Sequence, residues 1–367
     1  MSRRHATCFC AALGLATLTG GVPASTASQT QTPAAKGRPP IATTKSYVPR
    51  RLPWGDPDIS GNFTTKDEMN TPMERPDQWA GKRVEDISPA ELAEENRKRQ
   101  HEALVNAPFP GGGSRTQGVA IAVPIHWFDS LDSVNSRPWL IVDPPDGKIP
   151  PQTEESNRRA AAQAAARKGR GSAESYTDRS LSDRCVTFGP PFFTQGLYGA
   201  SYQVLQTKDY IVIRYEMIHE ARIIPIEGRA GARPHASPAL RTSLGDATAR
   251  WEADTLVVDT KNFSARGTAG WNPLRLADAN LHLIERFRRI GPNKVEVVTT
   301  VDDPTTWTRP WTYAIPLTED DTQAIFEYAC HEGNLGLRNI LSAGRSDDRK
   351  GIKSSDSVDA QEDLRFE

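Results

Sequence analysis

From Tyr202 to Cys330 the chain passes through nine short segments rich in Val, Ile, Thr and aromatic residues. They lie at about 202–207, 210–217, 220–226, 248–252, 254–259, 280–290, 294–302, 310–316 and 323–330. Turn residues such as Lys208-Asp209, Ala253-Asp254, Pro292-Asn293 and Glu319-Asp320-Asp321 separate several of them. Short strands at this spacing, with hardly any helix between, predict an antiparallel meander that curls into a barrel or sandwich. The barrel is preferred, because closure removes edge strands and leaves a lumen for polar side chains. The expected fold class is mainly β.

The N-terminus reads differently. Ser2-Arg3-Arg4-His5 precedes a mostly apolar stretch from Ala6 to Val22, then small residues at Ser25 and Ala27. This is the pattern of a secretory signal, with cleavage expected near Ala27. The apolar stretch is too short, and too interrupted by Gly and Thr, to span a bilayer. The mature protein is therefore expected in the periplasm or outside the cell, without stable membrane insertion. Residues 28–51 read as a flexible leader, 52–345 as one domain and 346–367 as a disordered tail. Helices are expected near 88–104, with Ser88 as cap, and 153–168. Between them lie a Pro110–Gly113 loop and strand-like pieces at 119–123 and 139–142. Asp58-x-x-Gly61-x-Phe63 suits the opening of a barrel, glycine bending the backbone so that the aromatic plugs an end.

Cys8 and Cys10 fall in the signal segment, leaving Cys185 and Cys330 in an oxidising compartment. Two distant cysteines with none left over predict one long-range disulfide. The net charge of −1 becomes −3 once Arg3 and Arg4 are removed. A nearly neutral chain has no electrostatic basis for binding nucleic acid.

Ile211 to Pro225 combines strand composition with Arg214, Glu216, His219, Glu220 and Arg222. In one unbroken strand, Ile211, Ile213, Tyr215, Met217 and His219 share a face. Arg214, Glu216, Glu220 and Arg222 share the other. Ionisable groups within apolar strands are costly unless paired or used. The segment either lines a polar cavity or carries an internal salt-bridge ladder.

Several local motifs together resemble one family. They are Pro53-Trp54-Gly55-Asp56-Pro57-Asp58, Thr71-Pro72-Met73-Glu74-Arg75-Pro76, Val142-Asp143-Pro144-Pro145-Asp146-Gly147 and Tyr215-Glu216-Met217-Ile218-His219. Arg250-Trp251-Glu252 with Asp254–Val258, Asp303–Trp311 and Glu327–Asn334 extend the likeness over roughly residues 50–345. The chain thereby resembles a large group of exported bacterial proteins with a β-rich, lipocalin-like core. The resemblance implies the fold class and export, and no particular reaction.

Three regions are candidates for chemistry. His219 with Glu216, Tyr215 and Arg222 suits a general base tuned by burial and a carboxylate. Cys330-His331-Glu332-Gly333-Asn334 places polar residues at an expected strand end beside the disulfide. In extended geometry Trp307, Arg309, Trp311 and Tyr313 line one side and suit a planar ligand. Glu285 sits among Leu281, Leu283 and Phe287, a setting that raises a carboxyl towards neutrality. His219, His331 and Glu332 would make a metal set only if distant strands met, and no His-x-His or His-Glu-x-x-His spacing occurs. There is no Gly-x-Ser-x-Gly elbow, nucleotide-binding glycine loop or CxxC pair in the mature chain, so no cofactor is expected.

The leading expectation is a cofactor-independent acid–base enzyme, a lyase or isomerase acting on a small apolar or aromatic molecule in the lumen. His219 and His331 would move protons, with Glu216, Glu285 and Glu332 as tuning or catalytic carboxylates. Tyr215, Arg222, Trp307, Arg309, Trp311 and Asn334 would hold the substrate. The alternatives are a non-catalytic lipocalin-like carrier and a structural protein whose buried charges only pair with one another.

Overall fold

The computed structural model describes residues 47–106, 135–168, 173–193, 199–264, 273–322, 325–332 and 334–350. The signal segment, most of the leader, the Pro110–Gly113 loop, the strand expected at 119–123 and the tail from 351 lie outside the described residues.

The strands are β1 (Gly61–Thr64), β2 (Ile141–Asp143), β3 (Ser201–Gln206), β4 (Tyr210–Tyr215), β5 (Ala221–Pro225), β6 (Asp246–Glu252), β7 (Thr255–Lys261), β8 (His282–Gly291), β9 (Lys294–Asp302) and β10 (Trp311–Glu319). All pairings are antiparallel, along the path β5-β4-β3-β1-β10-β9-β8-β7-β6, with β2 also on β10. At the ends of the path Ile226 bridges Ala249, and the Glu227 N–H donates to the Ala249 carbonyl at 2.7 Å. The sheet is a nearly closed barrel. Strand alternation fills its inside: Val295, Val297, Thr299 and Val301 of β9 are buried, and the residues between them only half-buried.

The opening motif works as its composition suggests. Gly61 has φ +151°, and a Cβ there would lie 3.1 Å from the Phe63 ring. Phe63 is buried in the barrel core. Arg289 lies over that ring, and its guanidinium donates to the Asp58 and Ser60 carbonyls at 2.9 Å. The N-terminal segment is thereby fastened to β8.

Helices α1 (Pro89–Asn106) and α2 (Glu154–Arg167) stand where their caps predict. Ser88 Oγ accepts from the Glu91 N–H at 3.2 Å, and Thr153 Oγ1 from the Ser156 N–H at 3.1 Å. One expectation is corrected. Residues 325–330 form no strand, so Ile325, Glu327, Ala329 and His331 do not share a strand face. The edges of β10 are already taken by β9 on one side and by β1 and β2 on the other, leaving no ladder there to join. A third helix, α3 (Leu335–Arg349), follows instead.

The connection from β5 to β6 crosses the gap in the sheet and is held by a polar clamp. His235 donates from Nε2 to Asp259 Oδ1 at 2.9 Å, and His282 donates to Oδ2 at 3.0 Å. Burial alone would raise the Asp259 carboxyl, but His282, Lys261 and His235 outweigh it and hold it at about 2. Its folded value is thus below the ordinary 3.8, so its contribution is complete above 3.8 and lost as pH falls towards 2. Asp259→Asn is expected to flatten the acid limb of stability over that range by ~1 kcal/mol, allowing for solvent screening. Urea midpoints across the range check this, and an acid limb identical to wild type would remove the clamp.

Candidate functional site

The site begins where β4 stops short of the expected 217. After Tyr215 the chain enters a tight turn, Met217–His219, in which Ile218 and His219 have φ of +56° and +54°. It returns as β5 with Ile213 opposite Arg222 and Arg214 opposite Ala221. Odd positions of β4 therefore pair with even positions of β5. Arg222 joins Ile213 and Tyr215 inside the barrel, not Arg214 and Glu216 outside it, and His219 leaves the Ile211–Tyr215 face. Gly199 passes beneath the turn with φ +66°, where a Cβ would lie 2.1 Å from Met217 Sδ.

Inside, Arg222 and Glu285 are 4% and 1% exposed and form a two-pronged pair at 2.5 and 3.0 Å. Arg222 also donates to Thr260 Oγ1 at 2.9 Å and to the Tyr215 hydroxyl at 3.4 Å. Burial opposes the guanidinium charge, but Glu285 and Tyr215 outweigh it and keep Arg222 firmly protonated. Burial pushes the Tyr215 hydroxyl up to about 12 and Tyr313 well above its usual range. Glu285, Thr299 and Tyr313 lie in register across β8, β9 and β10. Phe193, itself buried, packs its ring against Tyr202, Tyr215 and Phe287 at 4.9, 5.8 and 6.0 Å. At the level of this pair the lumen is filled, and its charges neutralise each other within packed protein.

A small open space lies beside that plug. A cleft of about 30 Å³ is lined by Phe188, Gly189, Pro190, Pro191 and Phe192, by Gly199, Tyr202, Tyr215 and Met217, and by Glu220 and Leu244. That is room for one or two waters. Burial raises the Glu220 carboxyl, and hydrogen bonds from the Thr187 hydroxyl at 2.5 Å and the Phe188 N–H at 3.1 Å only partly offset this. The Cys185–Cys330 disulfide, with Cα atoms 5.6 Å apart, anchors the chain just before this loop.

The expected site residues are not gathered in one place. Tyr215 lines the cleft, with Arg222 and Glu285 behind it, and Glu285 is engaged by Arg222 instead of standing alone among apolar neighbours. His219 accepts the Tyr328 N–H on Nε2 at 2.5 Å, which places its neutral-state proton on Nδ1. Glu216 accepts from the Ser201 N–H at 3.2 Å. His331 and Glu332 are exposed, and Asn334 caps α3 through the Leu337 N–H at 3.2 Å. The expected aromatic row splits: Trp307, Trp311 and Tyr313 are buried core, while Arg309 is exposed, 3.7 Å from Asp143. Trp307 lies before β10, in an isolated antiparallel bridge to Gln152, off the strand that would have aligned it with Arg309.

Glu220 and the Phe188–Phe192 wall were not among the expected site residues. The signal available for the wall was the run Phe188-Gly189-Pro190-Pro191-Phe192-Phe193, dense in rings and stiff backbone. Among the described residues no His, Cys, Asp and Glu group is arranged to hold a metal, and no helix is long and apolar enough to cross a membrane. Comparison with family models, curated proteins and solved structures gave no match.

Proposed function

We propose that the protein is an exported carrier of a small, largely apolar or aromatic molecule, one end of which enters the cleft between the Phe188–Phe192 wall and the Met217–Glu220 turn while its body lies against the mouth. The observation that carries this reading is the lining itself: aromatic, proline and methionine side chains around one carboxyl, beside a lumen already filled. Concave apolar surfaces with few convergent polar groups are the usual form of ligand sites. Export draws support from the signal-like N-terminus and the disulfide. The likeness to lipocalin-like exported proteins points the same way.

Acid–base catalysis is the second reading, favoured by Glu220, whose raised carboxyl suits proton transfer. His219 and Glu285 are weaker candidates, each engaged by a protein partner.

A panel of small apolar and aromatic compounds, screened by thermal shift and native mass spectrometry, separates the readings. A carrier retains a ligand and releases it with unchanged mass. Formation of a product, abolished by Glu220→Gln, would establish an enzyme instead. A folded protein that binds no panel member would sink both.

A further inference from the structure

Glu220 has an unmet electrostatic requirement. Its Oε1 accepts the Thr187 hydroxyl and its Oε2 the Phe188 N–H, at 2.5 and 3.1 Å. A carboxylate offers roughly four acceptor sites, so the described residues fill about half of them. No Lys, Arg or His among the described residues forms an ion pair with Glu220. Arg222, two residues on, gives its guanidinium to Glu285, Thr260 and Tyr215. The lining is otherwise almost wholly apolar. Charge in such surroundings is costly unless a partner of opposite sign is supplied. Aromatic faces add to this, since their negative π surfaces attract cations and offer nothing to anions.

Resting on the small-molecule binding reading, we infer that the bound molecule carries a primary ammonium group, which enters the cleft and pairs with Glu220. The size of the cleft chooses among cations. About 30 Å³ accommodates a head group no larger than a water or two. An –NH₃⁺ group is of that size, and a trimethylammonium group is several times larger. The apolar body of the ligand then lies towards the mouth, against Phe188, Phe192, Met217 and Leu244.

Calorimetric titration of the full-length protein with 2-phenylethylamine, and with n-propylbenzene as its uncharged counterpart, tests this at neutral pH. The amine is expected to bind about tenfold or more tightly than the hydrocarbon, as loss of a charge-assisted hydrogen bond implies. Benzyltrimethylammonium is expected to bind more weakly than the amine. Glu220→Gln, kept if its melting curve matches wild type, should remove the amine's advantage and leave n-propylbenzene unchanged. Hydrocarbon and amine binding equally to wild type would overturn the inference while leaving the carrier standing. So would full amine affinity in folded Glu220→Gln. If neither compound binds and the wider aromatic panel also fails, the carrier reading falls with it. The comparison of ligands on wild type decides the matter even if the variant does not fold.

Discussion

Arg222→Met alone is expected to lower unfolding stability by about 3–5 kcal/mol, the cost of leaving one member of a buried ion pair unpartnered. Glu285 would remain almost fully buried without its one ion-pair partner among the described residues, and Thr260 and Tyr215 would each lose a bond from the same guanidinium. The double variant Arg222→Met/Glu285→Leu is expected to recover most of that loss, because an apolar pair of similar volume carries no desolvation penalty. Urea denaturation of the two singles and the double gives the coupling directly. A single Arg222→Met variant within about 1 kcal/mol of wild type would mean that water reaches Glu285 and that the lumen is not packed.

The second large effect concerns the disulfide. Cys185 and Cys330 are 145 residues apart, and chain entropy assigns about 5 kcal/mol to closing a loop of that length, with measured cases spanning 2–5. Cys185→Ser/Cys330→Ser is therefore expected to lose about 2–5 kcal/mol in chemical denaturation. The loss should also be local. α3 has no buried residue of its own, and the segment leading to it is held by Cys330, by the Tyr328–His219 bond and by Asn334 donating to the Asp183 carbonyl at 3.2 Å. Limited proteolysis of the double-serine variant should cut first before α3 and then near Cys185, loosening the wall of the cleft. A cleavage pattern identical to wild type would show that packing alone holds these segments.

Both predictions rest on features the sequence presents unequally. The cysteine pairing was legible, because Cys185 and Cys330, the two thiols outside the expected signal segment, have one way to pair. The Arg222–Glu285 pair was not. Unbroken alternation through Ile211–Pro225 puts Arg222 on the face of Arg214 and Glu216, whereas a turn with two non-glycine residues at positive φ shifts the phase by one. That single step changed which charged residues face the core.

What the sequence by itself determined was local: most of the strands, where turns separate them, where α1 and α2 begin, and hence a mainly β chain for which a barrel was the preferred closure. Side-chain alternation, turn chemistry and capping act over a few residues, so they can be read along the chain. What only the tertiary structure decided was meeting: that Arg222 finds Glu285, that 325–330 finds no free edge, and that Glu220 faces an aromatic wall more than two dozen residues away. Those outcomes depend on loop paths and on which strand edges are already occupied, and both are properties of the closed sheet as a whole.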